Sequence, residues 1–498
     1  MIGSMFTSLK KHLPIIVLLA LLLLGFGVRL LDLTEEPLDW NMIRQLRDAT
    51  LARSLYYQML PNADPALAEQ AQYLASHLEV LELPILESVM AVLYLPFGET
   101  PWLVRPLLAV CWCAAAVLIF LLAKRHFSPW AAIAALFFFL FLPFGVMASR
   151  AFQPDAWMVL WVLLSYLLLY RATEKESWRS AVLAGLSAGW AILIKPTAAL
   201  YVAPAFAAVL LTQYGIRGIW RKGKVWAMAG LALLPVTIYF LFNRSSSSEH
   251  FQLWVLDMQS LRTSAQFYID WMLNVKRLSG LAFIGAALLG VLIAPARYKA
   301  LLIGGWIGYG LYGLFYPFQY STHDYYHLFM VPMVTLSLIP LFDLAVEKLA
   351  QNHWVWRVGF AGLLLAGAMI GVMDVKKDLD ARDYRPEAAA WKAIGDQIPE
   401  DGCLLTLATD YGLRLRYYGW RATCKSWPTA LDFSVYSRAG RGEPDYAGRF
   451  AESIVGMEYF VVLSMEEWEQ QPQLRELLVD HYPQISHSSE FLVFDLNP

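Results

Sequence analysis

Apolar runs separated by short polar stretches recur from residue 13 to residue 372. A helix of about 20 apolar residues crosses a hydrocarbon core of about 30 Å. Residues 13–31, 102–122, 130–147, 156–170, 181–194, 197–213, 225–242, 280–294, 301–318, 328–344 and 354–372 are therefore expected to be eleven spans. The first follows Lys10 and Lys11, lacks a small-residue cleavage site and is read as a retained helix. Lys124, Arg125, Arg171, Lys175, Arg179, Arg217, Arg221, Lys222, Lys224, Arg297 and Lys299 fall in alternate loops. By the positive-inside rule those loops are cytoplasmic, which puts the N-terminus inside and the C-terminus outside. On this threading Asp39, Glu82, Arg150, Asp155, Lys195 and His323 all reach the non-cytoplasmic face.

Between the spans the pattern changes. In 42–60, Ile43, Leu46, Leu51, Leu55 and Met59 recur at helical spacing, as in a helix lying on a membrane surface. Residues 84–95 are apolar but too short to span, as in a re-entrant or interfacial helix. The loop 243–279 interleaves Phe251, Trp254, Phe267, Tyr268 and Trp271 with polar residues, which suits the headgroup level. From 385 onward, helical stretches such as 387–398 alternate with β-type runs, 403–407 and 459–463. The division expected is a membrane domain, 1–374, containing outer loops 32–101 and 243–279, and an outer soluble α/β domain, 375–498.

Composition supports the membrane reading: 58% of the 498 residues are hydrophobic and 16% charged, beyond what a soluble chain keeps in solution. The basic residues are dispersed rather than gathered in a stripe, which excludes nucleic acid as a partner. Neither a P-loop nor a dinucleotide glycine fingerprint is present, which argues against ATP-driven transport and nicotinamide chemistry. Cys111 and Cys113 sit inside a span; Cys403 and Cys424 share the outer domain, where an oxidising compartment would permit a disulfide that sequence spacing alone does not establish.

Candidate chemistry gathers at the outer span ends. Asp39 is either the N-cap of the helix starting near Asn41 or a general base. Asp48 competes for the base role, but Arg47 beside it and Arg44 one turn away suit it to an ion pair. Glu82 and Glu87 open the short apolar helix, where acids are favoured electrostatically, or else they bind substrate hydroxyls or a divalent ion. Arg150, Gln153 and Asp155 crowd one turn. Lys195 breaks the positive-inside pattern, as a lysine holding an anion would. His323 and His327, with Asp324, Tyr325 and Tyr326, close another span; the histidines could hold metal at i and i+4, or His323 could receive a phosphate. A base, phosphate-binding groups and aromatic surfaces fit a transferase using a lipid phosphate, a leaving group that needs anion stabilisation more than an acid. The alternative is a transporter or flippase of lipid-linked sugars; it calls for inverted repeats, and none is evident.

The run from Pro37 to Arg53, with Glu82 to Glu87, Ser149 to Asp155 and Thr322 to Tyr326, resembles bacterial GT-C glycosyltransferases of family 39, relatives of protein O-mannosyltransferases and of the lipid A aminoarabinose transferase. The resemblance covers roughly residues 10 to 345. It implies a GT-C fold in the plasma membrane, a polyprenyl-phosphate sugar donor, a lipid, glycan or protein acceptor, and inversion at the anomeric carbon on the outer face. It maps the base onto Asp39 and two further site acids onto Glu82 and Asp155. Leu83 stands where aminoarabinose transferases have lysine, so phosphate binding falls to Lys195, Arg150 and His323. Trp40 stands where O-mannosyltransferases have glutamate. Arg44, Glu82, Glu87, Gln153, Asp155, Asp324, Tyr325 and Tyr326 are the expected substrate contacts. No cofactor is implied beyond a divalent metal, for which Glu82 and His323 are the candidates.

Overall fold

The computed structural model describes residues 2–79, 82–242, 251–400, 402–438, 440, 445–488 and 490–497. The chain forms two compact units, one of residues 1–33, 104–255 and 262–381, the other of 34–103, 256–261 and 382–498.

The first unit is helical, and each expected span coincides with helix, but with corrected bounds. Residues 130–147 are two helices, Pro129–Phe141 and Pro143–Ala148, because Pro143 has no amide hydrogen to continue the ladder and Leu142 before it is extended. Pro129–Phe141 starts on a Ser128 cap with proline in the first turn. Helix Ala265–Ser279 meets Leu281–Ile293 at 92°, the corner made by Gly280 at φ 78°. Among the described residues seven helices are long and apolar enough to cross a membrane, eight if that bent pair is one span. Pro129–Phe141 and Trp178–Ile194, of 13 and 17 residues, are shorter apolar helices. Small residues bring helices together: a Cβ on Gly308 would meet the Leu200 carbonyl oxygen at 2.4 Å, so helices Ala296–Phe315 and Ala198–Ile219 pack backbone to backbone.

The second unit joins the loop after the first helix to the C-terminal segment, whereas the sequence grouped that loop with the spans. Its sheet runs β2 (Thr423–Ser426), β1 (Leu404–Leu407), β3 (Tyr459–Val462), β5 (Leu492–Asp495), β4 (Gln484–His487). The first three strands are parallel and the last two pairings antiparallel, with Leu404 opposite Tyr459 and Phe460 opposite Phe494. The expected strands 403–407 and 459–463 are therefore present, as is a helix, Arg385–Gly395, within the expected stretch. Leu405, Leu407, Trp427, Phe460, Val462 and Phe494 form the core. Cys403 and Cys424 are disulfide-bonded.

The loop is welded to this domain by polar contacts. Arg53 bonds Glu99 at 2.7 Å and the Tyr417 carbonyl at 2.5 Å, and its guanidinium lies 3.9 and 4.4 Å from the Tyr417 and Trp420 rings. The Tyr418 hydroxyl donates to Glu36 at 2.9 Å. The helix expected over 42–60 is Met42–Met59. Arg44, Gln45, Arg47, Asp48, Thr50 and Arg53 are buried, while Ile43 and Met59 are 39% and 43% exposed. Its charged side faces protein, while its apolar positions divide: Leu46 is buried, Leu51 and Leu55 are half-buried, and Ile43 and Met59 face out. The short apolar run is helix Ile85–Phe97. Residues 243–250 of the expected aromatic loop lie outside the described residues.

Candidate active site

In the first unit a buried ion pair forms where two helices break. Helix Trp178–Ile194 stops at Lys195, whose backbone is extended and is followed by Pro196, and the chain resumes as helix Ala198–Ile219. The break aims the lysine at the start of helix Asp155–Glu174: Nζ lies 2.7 Å from Asp155 Oδ1, both side chains buried. Nζ also sits 5.2 and 5.1 Å from the Tyr325 and Tyr326 ring centres. Asp155 Oδ2 is buried with no protein partner, and so are both amide atoms of Gln153. A buried carboxylate using one oxygen, beside an ammonium held by rings, can exchange partners with an anionic ligand.

Around this pair, Arg29 donates to Ser149 Oγ at 2.6 Å and pins the turn. Arg150 donates to the Asp32 carbonyl at 2.9 Å. His323 packs on Tyr325 and Tyr326 at 5.8 and 6.0 Å and shares a 2.7 Å hydrogen bond with Thr322. Burial lowers its pKa from the ordinary histidine value, favouring the neutral ring, which offers a hydrogen bond rather than a charge. Asp324 stands 4.0 Å from Arg277. Both ring nitrogens of His327 are engaged within the protein. Residues 324–327 are a 3-10 turn, and His327 is buried with Nδ1 on the Tyr309 hydroxyl at 2.6 Å and Nε2 on the Tyr320 carbonyl at 2.9 Å.

In the second unit a charge cluster is buried between helix Met42–Met59 and the start of helix Ile85–Phe97. Arg44 pairs with Glu82 and lies 3.5 Å from Asp48; Arg47 bonds Asp48 at 2.6 Å and the Glu79 carbonyl at 2.7 Å. The ion-pair reading of Asp48 thus holds. Glu87, also buried, has its pKa raised well above the carboxylate range, by burial first and by the nearby Asp48 charge second. Two guanidinium groups thus share the cluster with three acids, and burial pushes the pKa of Asp48 up as well. Asp39 is half-buried and is not the cap of this helix; Asn41, at φ 46°, takes that position. The Gln45 amide donates to Asp39 Oδ1 at 3.1 Å and to the Trp40 carbonyl at 2.5 Å, which orients the carboxylate. Among the described residues neither Glu82 nor His323 belongs to a group of three or more metal-ligating side chains.

A family model described as dolichyl-phosphate-mannose-protein mannosyltransferase matches residues 84–241, which takes in Glu87, Arg150, Asp155 and Lys195 but not Asp39. A search of curated proteins by sequence finds no match. Among solved structures, ArnT from Cupriavidus metallidurans bound to undecaprenyl phosphate superposes with a TM-score of 0.57 at 15% identity, over 96% of this chain and 97% of that one; its apo state gives the same values. The chain has the GT-C fold. The oligosaccharyltransferase of Archaeoglobus fulgidus, in complex with zinc and sulfate, gives 0.54 at 12% over 95% of this chain and 73% of its own. A GT-C chain of this kind is a multi-pass membrane protein, as the apolar runs require.

What sequence reasoning missed in this GT-C chain is the support around the site. The Tyr201 and Tyr320 hydroxyls lie 3.4 Å apart, and the Tyr312 ring packs on Tyr326 at 5.7 Å. Tyr201 and Tyr312 stand in apolar runs where periodicity reads them as filler; a hydroxyl buried in a span was the available signal.

Proposed function

We propose that the protein is an inverting glycosyltransferase that moves a sugar from a polyprenyl-phosphate donor to an acceptor hydroxyl on the non-cytoplasmic face of the plasma membrane. The observation that carries this reading is the buried Lys195–Asp155 pair with its idle carboxylate oxygen and flanking tyrosines, in a chain sharing the fold of a protein solved with undecaprenyl phosphate.

The donor phosphate takes Lys195 as its counter-ion, with the neutral His323 ring as a hydrogen-bond donor. Asp39 accepts the acceptor's hydroxyl proton while the oxygen attacks the anomeric carbon from the face opposite the phosphate. The carbon–oxygen bond to phosphate breaks, its electron pair stays on the phosphate oxygen, and the lysine stabilises the charge that develops there. No general acid is needed, because a phosphate leaves as an anion.

The test is incubation of purified protein with a panel of polyprenyl-phosphate sugars and candidate acceptors, with and without chelator, following released polyprenyl phosphate by mass spectrometry. Release from one donor that disappears in Asp39→Asn, with the variant still folded, supports the proposal. Intact donors throughout, with thermal stabilisation by the lipid, would replace it with transport of lipid-linked sugars. Loss of release on chelation would assign the reaction a metal.

A further inference from the structure

The second unit carries a group of reactive side chains that the transfer reaction does not use. Cys403 precedes β1 and Cys424 lies in neighbouring β2, and both sulfurs of their disulfide face His77, the residue that ends helix Pro65–Ser76. His77 Nε2 lies 3.4 Å from Cys424 Sγ and 4.0 Å from Cys403 Sγ. Tyr73, one turn earlier, places its hydroxyl 3.1 Å from Cys403 Sγ and its ring edge-on to the imidazole at 4.8 Å. Among the described residues these three are the group whose ligand atoms all lie within 4.8 Å of one another.

We propose that Cys403, Cys424 and His77 form a zinc site when the disulfide is reduced. Two thiolates and an imidazole are the donor set zinc prefers, and three protein ligands leave a fourth position for water or the Tyr73 hydroxyl. With zinc–sulfur bonds of about 2.3 Å and zinc–nitrogen bonds of about 2.0–2.1 Å, a tetrahedral site separates sulfur from nitrogen by about 3.5 Å. The two observed separations, 3.4 and 4.0 Å, bracket that value. The cysteine Cα atoms are 5.3 Å apart on paired strands, so the sulfurs stay close once the bond opens. All three side chains are partly exposed, which gives the ion access.

The steps balance with a dithiol as reductant. It gives two electrons and two protons to the sulfur–sulfur bond and is itself oxidised to a disulfide. Zinc then displaces the two thiol protons to solvent and remains divalent throughout. In the oxidised form each sulfur is bonded to the other and the ion has no thiolate to bind, so occupancy reports the redox state outside the membrane. With zinc in place, the end of helix Pro65–Ser76 is tied to the sheet through metal bonds.

The test uses the full chain in detergent with Cys111→Ser and Cys113→Ser, which removes the two other thiols. The protein is reduced with dithiothreitol, desalted without air, shown to carry two free thiols and titrated with Co²⁺, whose thiolate charge-transfer band identifies sulfur ligands. The expected result is one equivalent bound only after reduction, displaced by Zn²⁺, and weakened more than about tenfold by His77→Ala and by the closer-sized His77→Gln. Reoxidation of either variant to the disulfide shows that β1 and β2 still pair. A reduced protein that binds no cobalt, or His77 variants that bind it as tightly as the parent, would overturn the proposal.

Discussion

Lys195 owes its position to a helix break, which sets its ammonium against the Asp155 carboxylate. Removing the ammonium leaves Asp155 buried with neither oxygen ion-paired, which costs about 3–5 kcal/mol for a broken buried pair. Lys195→Ala is therefore expected to lower thermal stability as well as donor affinity, whereas Lys195→Ala combined with Asp155→Asn recovers the stability but not the binding. Melting curves with and without polyprenyl phosphate separate the two effects. Glu87 gives a pH prediction. Its pKa is raised in the folded state, so folding stability from this group is intact below the ordinary glutamate value of about 4.3 and is lost as pH rises toward the raised pKa, at up to about 1.4 kcal/mol per unit. Glu87→Gln keeps the neutral shape, and its melting temperature should fall less between acid and neutral pH than the parent's. Lys195 was legible in the sequence because it violates the charge bias of span ends. The raised pKa of Glu87 was not, since it depends first on how deeply the fold buries the side chain and second on Asp48 standing near it in space.

At the scale of elements, helix Met42–Met59 shows what periodicity can and cannot say. The spacing of Ile43, Leu46, Leu51, Leu55 and Met59 identified the helix but not which side is inside, because an apolar stripe reads alike against a core and against lipid. Burial of the charged side follows from partners far along the chain, above all the Arg53 clamp on Tyr417 and Trp420. Arg53→Ala should destabilise the second unit by about 1–3 kcal/mol, leaving the Tyr417 carbonyl and the half-buried Glu99 without their donor, and Arg53→Lys should recover only part, for lack of the planar fork. Limited proteolysis of the loop 34–103 reads the effect; unchanged resistance in Arg53→Ala would rule out the clamp. The break at Pro143 was marked by its proline, but a continuous apolar run disguised it.

For the whole molecule, the apolar runs gave the helices but not how many cross, because three of the eleven stretches fold as helices of 13 to 17 residues. An odd number of crossings puts the chain ends on opposite sides, and the eleven-span threading places the C-terminus outside. A reporter fused after Pro498 is expected to be active only in the non-cytoplasmic compartment; cytoplasmic activity would mean that one of the short helices does not cross. The C-terminal domain was legible from its change of composition and its β-type runs. Its union with the first loop was not, because the contacts that make it, such as Tyr418 to Glu36, join residues hundreds of positions apart.

Gln153 has a bearing on selectivity. A carboxamide sealed from solvent with neither its oxygen nor its nitrogen matched inside the protein rewards a ligand that brings both a hydrogen to give and a lone pair to receive it. A ligand lacking them leaves the amide desolvated and unmatched, a loss of about 1–3 kcal/mol for each group. Choice between sugars that differ by one hydroxyl would then come less from extra grip on the right one than from the penalty on the wrong one, and replacing Gln153 with leucine would broaden the range of donors accepted rather than abolish turnover.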